Sequence, residues 1–188
     1  MPHTVYLAGP GVFRTDAREY AARAKSLCAA VGLAGLHPFD GVLPPNLSGR
    51  ALGLAISAAN EALLTRAAAV VADLSPYHGP SCDVGTAFEI GFARARGIPI
   101  FAYTDVAEDF AARVIAFLGG EVTLRNRADG TREGADGMQI EEFGLIDNLM
   151  LDGAILAAGG SISVATAADD AGLKAALAAC AAWFAARG

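Results

Sequence analysis

A chain of 188 residues with 54% hydrophobic content is long enough for one domain with a substantial core and short for two, so a single domain over residues 1–188 is expected. Its net charge of -6, with no basic cluster, argues against a nucleic-acid or anionic-membrane partner, because both reward Lys/Arg patches. The three cysteines, Cys28, Cys82 and Cys180, form no CxxC pair, and no His stands near them at metal-ligand spacing; they read as reduced thiols of a soluble cytoplasmic protein with no metal site.

Val5-Tyr6-Leu7-Ala8 is a short apolar run closed by Gly9-Pro10-Gly11, which predicts a first strand entering a tight loop, with Phe13 and Arg14 just beyond it. From Asp16, the residues Tyr20, Ala24, Leu27 and Val31 recur at helical spacing, Asp16 being placed to cap the start and Gly32 the end. Residues 33–37 predict a second strand stopped by Pro38, and 40–49 a proline-rich loop. Leu52, Ile56, Ala59 and Leu63 then mark a second helix. Residues 68–72, β-branched at their centre, suit a strand buried on both faces of a parallel sheet.

After a turn-rich loop, a helix is predicted over 83–96 and ended by Gly97, then a strand over 98–103 and a helix over 106–118. Residues 119–142 fit no period and read as a mobile excursion, a lid by composition, with a short strand at 122–124. A helix over 144–156, a last strand over 161–164 and a terminal helix striped by Leu173, Leu177, Cys180 and Phe184 complete the chain. The alternation predicts an open parallel five-stranded α/β sheet with helices on both faces, a flavodoxin-like fold of order 2-1-3-4-5.

In such a sheet, ligands bind beyond the carboxyl ends of strands where strand order reverses, so the loops after Tyr6 and after Asp73 are expected to face one crevice. Chemistry concentrates in the segment from Leu74 to Gly91. Ser81 or Asp83 is placed to cap a helix, and Glu89 stands among Phe88, Ile90 and Phe92. A carboxylate with such neighbours is either a strained exception or a working group. Asp73, Asp83 and Glu89 are expected around the crevice with Tyr6, Gly9, Gly11 and Phe13; helix capping and a solvated face are the competing reading of the acids. Gly9-Pro10-Gly11 lacks the third glycine of a dinucleotide fingerprint and no Gly-Lys-Ser/Thr is present, so no cofactor is expected.

Four stretches resemble the nucleoside 2-deoxyribosyltransferases: Tyr6-Leu7-Ala8-Gly9-Pro10, Ala72-Asp73-Leu74-Ser75-Pro76, Asp83-Val84-Gly85-Thr86-Ala87-Phe88-Glu89-Ile90-Gly91 and Phe143-Gly144-Leu145-Ile146-Asp147-Asn148-Leu149-Met150. The resemblance implies cleavage of the N-glycosidic bond of a 2'-deoxynucleoside and transfer of the deoxyribosyl group to another base. It implies Glu89 as nucleophile, Tyr6 as its partner, Asp73 and Asp83 on the base side, Phe13 as the stacking aromatic, and Asn148 and Met150 reaching the sugar of a neighbouring subunit in a dimer or hexamer. The motif wording is closer to purine-accepting or broad members than to pyrimidine-tuned ones.

The allocation agrees with retaining glycosidic chemistry, in which one carboxylate attacks the anomeric carbon while an acid protonates the leaving group. Asp83 or Asp73 must then carry a proton while Glu89 does not, and close carboxylates push their pKa values apart. The bland alternatives are a core aromatic at Tyr6, a backbone-bonding Asn148 and a packing Met150. For Arg14 two readings stand, solvated or reaching into the pocket. Two other functions compete: a 2'-deoxynucleoside or 5'-monophosphate N-glycosidase using the same nucleophile with water as acceptor, and a non-catalytic nucleoside-binding module. Asp83 opposes the phosphate-bearing substrate by charge.

Overall fold

The computed structural model describes residues 1–165 and 168–187. Five parallel strands, β1 (His3–Ala8), β2 (Leu33–Leu36), β3 (Ala69–Asp73), β4 (Ile100–Thr104) and β7 (Ser161–Val164), form a sheet of order β2-β1-β3-β4-β7. This is the expected 2-1-3-4-5 order, the fifth sheet strand being the last in the chain. A separate two-residue hairpin pairs β5 (Arg125–Asn126) with β6 (Arg132–Glu133).

Side-chain alternation along the strands splits the core into two halves. Tyr6, Ala8, Val70, Ala72, Ile100 and Ala102 face one side, where they meet Leu63 and Leu64 of α2 (Gly49–Arg66), Ile90 and Ala93 of α3 (Val84–Ala95), and Leu151 and Ile155 of α5 (Leu149–Ala157). Val5, Leu7, Ala69, Val71, Phe101 and Tyr103 face the other side and pack on α1 (Ala17–Ala30) and α6 (Ala171–Ala185). The parity of a strand position therefore decides which helical layer a side chain can reach.

Three expectations about elements are corrected. The helix expected over 106–118 is α4 (Phe110–Phe117), because the Asp109 carboxylate accepts from Ala112 N at 2.8 Å and so sets a later start. The helix expected over 144–156 begins only at Leu149, where Asn148 caps it by accepting from Met150 N. The strand expected at 122–124 is instead a 3-10 turn, Glu121–Thr123. The 119–142 excursion packs Ile140 on Ala111 and Ile115 of α4, and Arg132 ties Glu121 to Glu142. It does not line the Glu89 cavity described below.

Candidate active site

Helices α2 and α3 and the turn after β1 enclose a cavity of about 660 Å³, within the range of small-molecule sites. Gly9, Phe13, Arg18, Asn60, Asp83 and Glu89 line it, with an apolar wall that includes Val12, Phe39, Leu43 and Ile56. Gly9 makes the turn possible. Its φ of 150° is a conformation side chains rarely adopt, and a Cβ there would lie 2.7 Å from the Cβ of Asp73.

Glu89 projects from the second turn of α3 toward β1, whose residue Tyr6 points at the same layer. The Tyr6 hydroxyl donates to Glu89 Oε1 at 2.6 Å. Tyr6 is fully buried and Glu89 is 9% exposed, so the pair meets where water competes little. Burial pushes the Glu89 carboxyl up to about 7; the Tyr6 hydrogen bond opposes this by favouring the anion, and the Asp83 charge adds to the rise. Burial, reinforced by the neighbouring Glu89 charge, raises the Tyr6 phenol well above its ordinary value, so it stays a donor.

Asp83 caps α3, its Oδ2 accepting from Gly85 N at 3.1 Å and Thr86 N at 3.2 Å, and its side chain also borders the cavity. Asp83 thus caps the helix and borders the cavity at once. Asp73 is different. It shares the parity of Ala69 and Val71, so it points to the α1 and α6 side. There it lines a neighbouring cavity with Arg14, Tyr20, Ser75, Tyr103 and Asp105, and Ser75 N donates to its Oδ1 at 2.9 Å. Burial raises its carboxyl, while the Ser75 bonds pull the other way. Asp83 and Glu89 thus border one cavity, and Asp73 borders adjoining openings, one of which shares Phe13 with that cavity.

Phe13 lies 61% exposed at the rim, stacked on Tyr77 with centroids 5.2 Å apart. It borders both the Glu89 cavity and a second opening beside Asp73. Arg14 takes the solvated reading on one side, pairing with Asp16 at 2.7 Å, and also reaches the Asp73 cavity. Asn148 and Met150 do not line the Glu89 cavity of their own chain. Asn148 Nδ2 donates to Glu141 Oε1 at 2.8 Å, and Met150 is 70% exposed.

Sequence reasoning missed a buried polar network that fixes the start of α3. Asp147, with no exposure, accepts from Ser81 Oγ at 2.5 Å, Cys82 N at 2.9 Å and Asn148 N at 2.7 Å. The Arg113 guanidinium stands 3.5 Å from it and donates to the carbonyls of Pro80 and Ile146. Asp152 accepts from Ile146 N and Asp147 N, so the whole loop before α5 is pinned. Asn60 and Arg18 were also missed: one sits in an alanine-rich helix, the other on a helix face read only for its apolar stripe.

The family model described as nucleoside 2-deoxyribosyltransferase matches residues 5–150. An uncharacterized Schizosaccharomyces pombe protein, C191.05c, is 31% identical over 175 residues, covering 87% of this chain and 83% of its own length. A 2-desoxiribosyltransferase from Leishmania mexicana superposes with a TM-score of 0.64 at 27% identity, covering 94% of this chain and 98% of that one. A conserved protein from Enterococcus faecalis V583 shares the fold with a TM-score of 0.57 at 21% identity, covering 95% and 97% of the two chains. The matched segment spans most of the chain and carries the ordered motifs, four of the five sheet strands and the Tyr6–Glu89 pair: the chain belongs to the nucleoside 2-deoxyribosyltransferase family.

Proposed function

We propose that this protein transfers 2-deoxyribosyl groups between nucleobases, with Glu89 as the covalent nucleophile. The observation that carries the reading is the Tyr6–Glu89 hydrogen bond at the wall of a cavity large enough for a nucleoside. The Glu89 carboxylate attacks C1' from the face opposite the base, and a glutamyl ester forms as the C1'–N bond breaks. The bonding electron pair leaves with the base, which takes up a proton. A ring nitrogen of a second base then attacks C1' and gives up its proton to the acid that protonated the first, the ester bond breaks, and the carboxylate returns. Two inversions give retention.

Asp83 is the proton donor this reading prefers, because it borders the same cavity as Glu89. Asp73 is the second candidate: burial favours its protonated form, and the opening beside it shares Phe13. Phe13 offers the planar base a stacking face. Met150 and Asn148, outside the cavity of their own chain, are assigned to the cavity of a neighbouring copy in a homo-oligomer.

A second reading, cleavage of a 5'-monophosphate by water, draws on Arg18. This exposed cation borders the cavity, packs over the Phe39 ring at 5.3 Å and has no carboxylate partner among the described residues. Incubation of the protein with deoxyinosine and adenine separates the readings. Transfer predicts deoxyadenosine forming faster than free deoxyribose; sugar release indifferent to adenine, or turnover of deoxynucleoside monophosphates alone, contradicts it.

A further inference from the structure

We infer that Asn60 holds the furanose of the substrate by a hydrogen bond to one of its hydroxyl groups, an assignment that rests on the deoxyribosyl-transfer reading above. The starting observation is an orphan. Asn60 Oδ1 is shut off from solvent and, among the described residues, has no hydrogen-bond partner, yet Asn60 borders the cavity that holds Glu89. Asn60 is only partly buried, but an amide oxygen sealed without a partner is costly and no protein group here supplies one, so a ligand that turns the amide toward the cavity relieves that cost.

Its place on α2 says which part of a nucleoside it meets. Leu52, Ile56 and Asn60 follow one another at four-residue spacing, so they lie along one helix face, and all three border the cavity. Ile56 is exposed, whereas Leu63 and Leu64, just past Asn60, are buried in the core at 3% and 0% exposure. The helix therefore runs from the rim of the cavity to its floor, and Asn60 replaces the aliphatic residue that would continue the stripe. Glu89 is at the buried end as well, while Phe13, Phe39 and Leu43 form the exposed apolar rim. A nucleoside with C1' at Glu89 sets its sugar on the floor and its flat base among the rim side chains. The polar group within reach of Asn60 is then a furanose hydroxyl, which both donates and accepts. An amide offers an acceptor oxygen and a donor nitrogen, and half a turn about its last torsion interchanges them, so it matches a hydroxyl in either sense.

The test is a binding cycle in the Glu89→Gln background, where turnover is suspended. Calorimetry measures the affinity for 2'-deoxyadenosine, 2',3'-dideoxyadenosine and 2',5'-dideoxyadenosine, with Asn60 intact and as Asn60→Ala. The expectation is a loss of about 5- to 50-fold for 2'-deoxyadenosine on Asn60→Ala, and no further loss for one of the two dideoxy ligands, the one lacking the bonded hydroxyl. An equal penalty for all three ligands overturns the assignment, because the amide then reads the base or only shapes the cavity. Asn60→Leu serves as the second variant. It is expected to raise the melting temperature by removing the orphan amide and to weaken 2'-deoxyadenosine by a similar factor; unweakened binding overturns the assignment. Transfer by the unaltered protein is assayed alongside. Transfer with an additive cycle sinks Asn60 alone, whereas absence of both transfer and nucleoside binding sinks the reading beneath it.

Discussion

Tyr6 donates its phenolic proton to Oε1 of Glu89 across 2.6 Å, although 83 positions separate the two residues in the chain. The bond joins the central region of the sheet to the helix that carries the proposed nucleophile, and it favours the anion that the chemistry needs. The fold supplies the opposing force, since burial lifts the same carboxyl to about 7.

Tyr6→Phe removes the hydrogen bond and leaves the burial. The Glu89 carboxyl then rises further, and the acid limb of kcat/KM, placed near pH 7 by Glu89, moves to higher pH. A loss of about tenfold at pH 6 is expected, shrinking at pH 8, where the carboxylate forms even without Tyr6. A limb that stays in place or moves to lower pH contradicts the pairing.

Glu89→Gln tests the same balance through stability. The folded-state value of about 7 lies above the ordinary 4.5, so the folded protein holds the proton more tightly than the unfolded chain. Below pH 4.5 both states are protonated and nothing is lost; between 4.5 and 7 stability falls as pH rises, and above 7 the full penalty remains. Glutamine does not titrate. Relative to the unaltered protein, Glu89→Gln is therefore expected to gain up to about 3 kcal/mol between pH 4.5 and pH 8, read from denaturant midpoints. An identical difference at both pH values contradicts the assigned shift.

Asp147→Ala strips the acceptor from Ser81, Cys82 and Asn148 and leaves the Arg113 charge buried without its partner. Breaking such a pair costs about 3–5 kcal/mol, so the melting temperature is expected to fall by about 10 °C. Because Cys82 adjoins the Asp83 cap, transfer is expected to weaken even where the variant is fully folded. A melting temperature lowered by less than about 2 °C, with transfer unchanged, contradicts the positioning role.

Hybrid oligomers test the sharing of sites. Glu89→Ala and Asn148→Ala subunits, each inactive alone, are expected to regain part of the activity on mixing, because one hybrid site then carries both residues. No recovery, with subunit exchange verified by a mass-tagged copy, contradicts the assignment of Asn148 to a neighbour's cavity.

The sheet was legible because its strands are short apolar runs between helices with clear periodicity, and the order followed from the fold class. Helix starts were less so: Asp109 and Asn148 cap α4 and α5 several residues after the apolar pattern begins. The expected placement holds for Phe13, Asp83 and Glu89, which border one cavity, while Tyr6 is buried behind it and reaches it only through Glu89. Asp73 borders an adjoining opening, not the Glu89 cavity, for a definite reason. Position along the chain places it at the right strand end, but side-chain parity turns it to the other face. The Asp147 network was illegible because its partners Arg113 and Ser81 are 34 and 66 positions away and carry no periodic signal. Asn60 gave a faint signal, a lone amide interrupting the Leu52 and Ile56 stripe, and that stripe was read for helix only.

Mass spectrometry of the protein quenched during turnover of a slow 2-fluoro-arabinosyl purine nucleoside addresses the covalent step most directly. The account predicts an added fluoropentosyl mass on the peptide containing Glu89, lost on addition of adenine and absent from Glu89→Ala. Steady turnover with no adduct, or an adduct on another side chain, contradicts it.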